Sequence, residues 1–438
     1  LRTFDTINRR SVCYDYDAFG SLSGAVFGDG SRQWRNPDLM GNVYDSPDRT
    51  DRNFGRGGQL RKDKKWRYYY DSHGNLVLKT MRRMEPSRNA EARDEFLQWQ
   101  SGDYAYTWQG NGMLRSVTRP DGKTVTFRYD ALGRRIEKVF DGRVYRYLWD
   151  GDVILHEWDY AEADRPNTIV TEAGEVTLDR PELVENLITW VYDSDSYVPT
   201  AKIVGDKHYS IISDYIGRPV QAYDDKGNVV WQADYDIYGN LRNLHGSRRF
   251  IPFCQLGQHE DEDTGLYYNR FRYYDPRIGN YISQDPIRLA GNNPTLYGYV
   301  GDLNKWADVF GLDFKTVDFS GHPDLYQGPG KNTVKIKLTG DRSSDFTRAY
   351  KEAGITKADA TGYTWHHVAD FDPKTGESTM QLIKTSTHEA NLPHKGSAGQ
   401  FADYFGVQYD SFEAKMKSFE QGWRKEPKRQ AKKITCKK

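Results

Sequence analysis

One phrase recurs along the first three hundred residues. An aromatic residue, often Tyr-Asp, precedes a Gly a few places on, then an alternating run follows, then another turn. It reads "YDYDAFG" at 14–20, "YYYDSHGNLVLK" at 68–79, "YTWQGNGMLRSVTRPDGKTVTFRYDALGRRIEK" at 106–138, "YDDKGNVVWQADYDIYGN" at 223–240 and "RYYDPRIGNYISQDP" at 272–286. From Gly112 to Gly133 the interval is 21 residues, the length of one strand–turn–strand unit, and a recurring period of this kind marks a repeat architecture. Tyr favours strands and Gly favours tight turns, and the chain holds 31 Tyr and 40 Gly. Asp121-Gly122 and Asp141-Gly142 suit two-residue hairpin turns. A single hairpin cannot bury its own face, so neighbouring hairpins must stack into one sheet. The regularity argues for a mainly β repeat sheet over an ordinary β-sandwich with tyrosines.

The phrase stops near residue 312, and the charge changes with it. Residues 313–438 carry 21 bases against 16 acids, while residues 1–312 carry 41 against 46. Such asymmetry suggests a basic partner-binding module joined to a different scaffold. The module reads as small α+β. "NTVKIKLTG" at 332–340 alternates as a strand, and "DRSSDFTRAYKEAG" at 341–354 starts with a cap and ends at Gly354 as a helix. "YTWHHVADFDPKTGESTMQLIK" at 363–384 reads as a hairpin turning through residues 372–376. The segment from Asp410 starts helical, with Phe412, Met416, Phe419 and Trp423 on one face, and ends in a basic tail.

Composition narrows the functional classes. Cys13, Cys254 and Cys436 are too scattered for a disulfide framework or a CxxC metal site. No run of about 18 apolar residues is present to cross a membrane. The first residues lack both an apolar signal core and an initiator Met, so the chain is expected to be a fragment or processed product of a longer one.

The chemistry gathers around four histidines. Neighbouring side chains on a strand point to opposite faces, so His366 and His367 must do different jobs. A buried, hydrogen-bonded His beside an exposed one would explain an isolated pair. Here a hairpin followed by a helix can also bring His388 and His394 to the same place. Neutral imidazoles suit Zn, Ni, Cu or Fe, whereas oxygen ligands suit Mg and Mn. A divalent metal beside one free imidazole suffices for phosphodiester hydrolysis. Trp365 reads as a core anchor rather than a base-stacking platform. Asp370 and Asp372 are possible oxygen ligands that a hairpin turn uses in any case. His259 and His322 read as ordinary loop residues. Lys395, Arg424, Lys425, Lys428 and Arg429 are candidate phosphate contacts acting by charge alone; a solvated tail is the competing reading for the last four. In the first part, Asp285 and Asp308 are candidates for a carboxylate pair that titrates apart and activates water, against the plainer reading that both cap turns.

Residues 1–312 resemble the RHS/YD-repeat family. The most specific stretch is "TGLYYNRFRYYDPRIGNYISQDPIRLAGNNPTLYGYVGDLNKWADVFGL" at 264–312, similar to the RHS-associated core that closes the repeat region ahead of a variable C-terminal toxin. The resemblance implies a β shell segment over 1–263, a core over 264–312 and a toxin domain over 313–438. It also implies autoproteolysis after Leu312 by Asp285 and Asp308. The family's ending is Asp-Pro-x-Gly-Leu; here Val309 replaces that Pro, and Gly301 stands at another usual Pro. "YTWHHVAD" and "MQLIKTSTHEANLPHKGSAGQF" resemble the WHH branch of the HNH/endonuclease VII superfamily, with Ser397 in place of the second Gly of His-x-Gly-Gly. That resemblance implies a ββα-metal motif with one divalent ion, Zn, Ni, Mg or Mn not being distinguished. His366 and His394 would be ligands, His388 a third ligand or an orienting residue, and His367 the general base, with the order of His366 and His367 open to reversal. It implies cleavage of DNA in preference to RNA.

The expected setting is antibacterial competition. The effector would be made in the producer's cytoplasm and exported by a specialised apparatus, with a type VI spike or adaptor as partner. It would act in the target-cell cytoplasm and be neutralised in the producer by a cognate immunity protein. The alternatives are a non-enzymatic YD-repeat surface or adhesion protein, or a toxin with RNase or other hydrolase activity. The absence of HExxH, and of His-x-Glu with Cys-x-x-Cys, counts against a zinc peptidase or deaminase.

Overall fold

The computed structural model describes residues 2–5, 7–17, 21–84, 94–193, 196–288, 295–304, 306–312, 318–389, 396–405 and 407–427. The chain divides into two compact units. One comprises Leu1–Leu289 with Asn293–Asp313, the other Ala290–Asn292 with Phe314–Lys438.

The larger unit is organised by its turns. In the pattern Asp-x-x-Gly-Asn/Arg, one carboxylate oxygen accepts the backbone N–H groups two and four residues on, and the other accepts the side chain four residues on. Asp71 does this with His73, Asn75 and the Asn75 amide, and Asp224 with Lys226, Asn228 and the Asn228 amide. Asp38, Asp130, Asp214 and Asp236 repeat the arrangement, with Arg134 and Arg218 supplying the side chain in two of them. The Gly adopts positive φ, 82° at Gly74 and 79° at Gly227, where an L side chain is strained. The Asp of the Tyr-Asp phrase is therefore the lock of a self-contained turn. A tighter version closes between Phe140 and Arg143, where Asp141 and Gly142 both have positive φ, as a type I′ hairpin requires.

These turns string the strands into a 16-stranded antiparallel sheet running from Asn53–Phe54 to Leu241–His245 in chain order. One hairpin, Thr168–Val170 with Val176–Leu178, branches off, so Val153–Ala161 pairs directly with Glu185–Tyr192. A four-stranded sheet precedes it, from Arg2–Asp5 to Arg32–Trp34. A further four-stranded sheet, His259–Asp261, Leu266–Asn269, Arg272–Asp275 and Asn280–Tyr281, is buried on both faces. Tyr268 and Tyr273 pack with Tyr68, Tyr106, Val117 and Phe127, while Tyr267, Tyr274 and Tyr281 pack with Val220 and Tyr235. The small sheet thus fills the space between distant stretches of the long one. His259 is not a loop residue: it is buried on a strand, with Nε2 3.1 Å from Glu157 and Nδ1 3.1 Å from Arg135.

The smaller unit is a three-stranded antiparallel sheet with Glu377–Lys384 in the centre, flanked by Thr333–Lys337 and Tyr363–His367. Helix Arg342–Ala353 is capped by Asp341, whose carboxylate accepts the Ser344 N–H, and ends at Gly354 with φ 69°. One sheet face buries Val334, Ile336, Met380 and Leu382 against this helix and against Phe401, Tyr409 and Trp423. Trp365 is 1% exposed there and meets the Tyr350 ring edge-on, as a core anchor should. On helix Phe412–Glu420, Phe412 and Phe419 are exposed while Ala414 and Ser418 are buried, and just past its end Trp423 is buried too. The helix approaches so closely that a Cβ on Gly340 would lie 2.3 Å from the Ala414 carbonyl oxygen, and Ser418 Oγ donates to the Leu338 carbonyl. Small residues fit that contact and phenylalanines do not. No helix among the described residues is long and apolar enough to cross a membrane.

Candidate functional site

Asp285 and Asp308 converge on one nitrogen of Arg272, at 2.9 and 3.2 Å. All three side chains are shut off from solvent, and the guanidinium lies 3.7 Å above the Tyr281 ring. Asp285 also caps its turn by accepting the Ile287 N–H at 2.8 Å. Asp308 accepts the Tyr281 hydroxyl at 2.8 Å and, through its other oxygen, the Leu312 N–H at 2.8 Å. Arg272 Nε donates to the Gly311 carbonyl. The peptide just before the expected cut is therefore clamped at both ends; Asp313 lies outside the described residues. Burial pushes the Asp308 carboxyl up to about 6, against the opposing pull of Arg272 and its two donors. Gly311, at φ 64°, comes so close to the chain that a Cβ would sit 2.2 Å from the Asn269 carbonyl oxygen. Val309, standing where the family has Pro, is held by packing: its carbonyl oxygen leaves no room for a Cβ on Gly257, at 2.1 Å. Arg272 and Tyr281 were not singled out from the sequence, where they sit among many arginines and tyrosines.

The two adjacent histidines part company. His366, 1% exposed, meets Phe319 edge-on at 4.9 Å and faces His388 at a ring separation of 5.5 Å. His388 comes from helix Thr385–Glu389, which follows the hairpin directly, so strand, strand and helix make a ββα unit. Asp318 lies beside this face. Its carboxyl is held below the ordinary carboxylate range by Ser320, by Gln381 and, more weakly, by His366. His322 packs its ring on Phe319, 5.8 Å away. His367 points into the other face, 8% exposed, and its Nε2 lies 3.1 Å from the buried Asp345 carboxylate.

His394, Lys395, Lys428 and Arg429 lie outside the described residues. Arg424 donates to the Thr339 carbonyl at 2.7 Å, and Lys425 is exposed. Asp370 and Asp372 are engaged in the hairpin, Asp370 with Thr379 and Ser378, Asp372 with Lys374 and Thr375. Gly396 is the glycine of His-x-Gly, and a Cβ there would strike the His367 carbonyl oxygen at 2.1 Å. Of the family's two glycines, the retained one is the one without space for a side chain; Ser397 fits, fully buried. Among the described residues no group of three His, Cys, Asp or Glu is arranged to hold a metal ion. The imidazoles of His366 and His388 are the type of nitrogen donor that a divalent transition metal takes.

Residues 2–296 match the Teneurin YD-shell family, and residues 356–404 match the WHH family, described as a nuclease of the HNH/ENDO VII superfamily with conserved WHH. The probable deoxyribonuclease RhsA of Dickeya dadantii (strain 3937) is 32% identical over 334 residues, covering 75% of this chain and 21% of that protein. The double-stranded DNA deaminase toxin A of Burkholderia cenocepacia (strain H111) is 30% identical over 338 residues, covering 71% and 21%. The toxin protein Tse5 of Pseudomonas aeruginosa is 34% identical over 253 residues, covering 53% and 18%. The chain spans about a fifth of the length of these curated relatives.

Proposed function

The chain belongs to the Teneurin YD-shell family and carries a WHH-type nuclease domain; from that premise we propose that it is the C-terminal part of an RHS toxin whose last domain, 313–438, is a metal-dependent DNA endonuclease freed by autoproteolysis after Leu312. The observation that carries the nuclease reading is the facing of His366 and His388 across the ββα unit. In this reading His366, His388 and His394 hold one divalent ion, and His367 takes the proton from the attacking water. When bound, the ion polarises the phosphate and stabilises the leaving oxygen. DNA is the favoured substrate because relatives sharing most of the chain carry names of DNA-acting enzymes.

In the release step Asp285 takes a proton from water as its oxygen attacks the Leu312 carbonyl. Asp308, whose carboxyl burial raises to about 6 so that it keeps its proton in mildly acidic solution, delivers it to the departing nitrogen of residue 313. Arg272 and Asp308 keep the Gly311–Leu312 peptide in place for this. Export from a producer, a secretion-apparatus partner, action in the cytoplasm of a competitor and a protecting immunity protein belong to the same reading; relatives named as toxins support it. The deciding experiment incubates the full chain and its His367→Ala variant with supercoiled plasmid and with RNA across Mg²⁺, Mn²⁺, Ni²⁺ and Zn²⁺. Metal-dependent nicking of plasmid by the wild type, abolished in the variant, is expected. Equal cleavage by both proteins, or none by either, refutes the nuclease reading.

A further inference from the structure

We infer that Asp345 is the positioning residue of His367: it fixes the imidazole's orientation and makes Nε2 the protonated nitrogen, so that the Nδ1 lone pair faces the reaction. This deepens the reading of His367 as general base and rests on it. Asp345 is 0% exposed on helix Arg342–Ala353, in line with the buried Ala349 and Ala353. An acid on the apolar stripe of a helix is costly to bury unless every oxygen is satisfied, and here each is. Oδ1 accepts the Thr339 N–H at 2.8 Å and the Thr339 hydroxyl at 2.7 Å. Oδ2 accepts the Tyr409 hydroxyl at 2.5 Å and meets His367 Nε2 at 3.1 Å. Burial, and then Asp345 itself, push the Tyr409 hydroxyl well above its ordinary range, which keeps it a donor.

A carboxylate already ringed by donors can only accept. The His367 nitrogen facing it must therefore carry a hydrogen, and that nitrogen cannot also accept a proton from water. The second nitrogen is left for that task, the usual consequence of a carboxylate behind a catalytic imidazole. The ring has little freedom to turn. Phe346 lies against it at 5.7 Å and Tyr409 at 6.2 Å, while Gly396 packs on its backbone.

The test uses the full chain labelled with ¹⁵N at its ten histidines, with His367 assigned by the signal lost in His367→Ala. Imidazole ¹⁵N shifts at neutral pH should show His367 as the Nε2–H tautomer in the wild type and shifted toward Nδ1–H in Asp345→Asn. On plasmid, Asp345→Asn should lower kcat by about 10–100-fold, as loss of an orienting partner does, with KM changed less than about two-fold. Tyr409→Phe removes another donor from the same carboxylate but leaves its bond to His367, and should lower kcat less than about three-fold on the same reasoning. A wild-type His367 in the Nδ1–H form overturns the inference, and this measurement stands even if Asp345→Asn fails to fold. A folded Asp345→Asn chain with wild-type kcat also overturns it, and leaves the nuclease reading intact. A wild type that cuts neither DNA nor RNA removes the nuclease reading and the inference with it.

Discussion

Asp285 and Asp308 come from separate loops of the tyrosine-rich unit and end on one nitrogen of Arg272, whereas His366 and His367 are chain neighbours that part to opposite faces of a sheet. The two sites are thus organised by different forces. In the first a buried cation gathers two carboxylates that would otherwise repel, and burial raises one of them, Asp308. In the second, strand alternation separates two identical side chains, and the surroundings of each face do the rest. Members of the first site are coupled through a shared guanidinium; members of the second are separated by the sheet.

The contrast breaks most visibly if the aspartates prove dispensable. The Asp285→Asn/Asp308→Asn chain should stay whole, giving one band of the full 50.7 kDa where the wild type gives two fragments, scored by intact-mass spectrometry. Two fragments from the double variant would mean that the convergence on Arg272 is structural only. Next in size, His367→Ala should slow plasmid cleavage by about 10²–10⁴-fold while metal affinity, read by isothermal titration, stays unchanged. His366→Ala and His388→Ala should instead weaken metal binding, and excess metal should partly restore their activity. If all three variants behave alike, the two faces do not have separate jobs.

A subtler measurement sharpens the first site. The Asp308 carboxyl is raised from 3.8 to about 6 in the folded chain, so its protonated form is favoured by folding. That contribution is fully present below about pH 4 and lost as pH rises through about 6. Comparing Asp285→Asn with Asp285→Asn/Asp308→Asn by denaturant melts, the chain retaining Asp308 should lose roughly 2 kcal/mol relative to the other between pH 4 and pH 7. A flat difference would mean the carboxyl is not raised. Smallest is the packing of the second site. Gly396→Ala should lower stability by about 1–3 kcal/mol, as overpacking does, whereas Ser397→Gly should cost less than about 1 kcal/mol. The reverse ranking would show that the missing second Gly matters more than the retained one.

The repeat sheet was legible because its signal is local: an Asp, a Gly and the residue after it complete each turn among themselves. The ββα unit was legible for the same reason, with hairpin and helix contiguous in sequence. Partners that depend on distant packing were not. Arg272 looks like any other arginine until the sheet around it is closed. Asp345 did leave a trace, as an acid in step with Ala349 and Ala353 on the helix's apolar stripe, but a capped helix start hides one more Asp easily. His259 was misread because its two partners, Glu157 and Arg135, lie more than a hundred residues away. Which face of helix Phe412–Glu420 packs was not legible, because closeness of approach, not hydrophobicity, puts Ala414 and Ser418 inside.

The locked turns have a kinetic corollary. Since each completes itself within five residues, forming the next hairpin of the long sheet closes only a short loop, and loop-closure entropy stays small at almost every step. Such a sheet has low contact order for its size and can zip in the direction of synthesis. The buried sheet from His259 to Tyr281 is the exception, because its tyrosines need partners from strands laid down long before. Arg272 belongs to that late-arriving stretch, and Asp285 and Asp308 follow it in the chain. A chain whose hairpins have not closed has nowhere to assemble them, so scission after Leu312 would report that folding is complete.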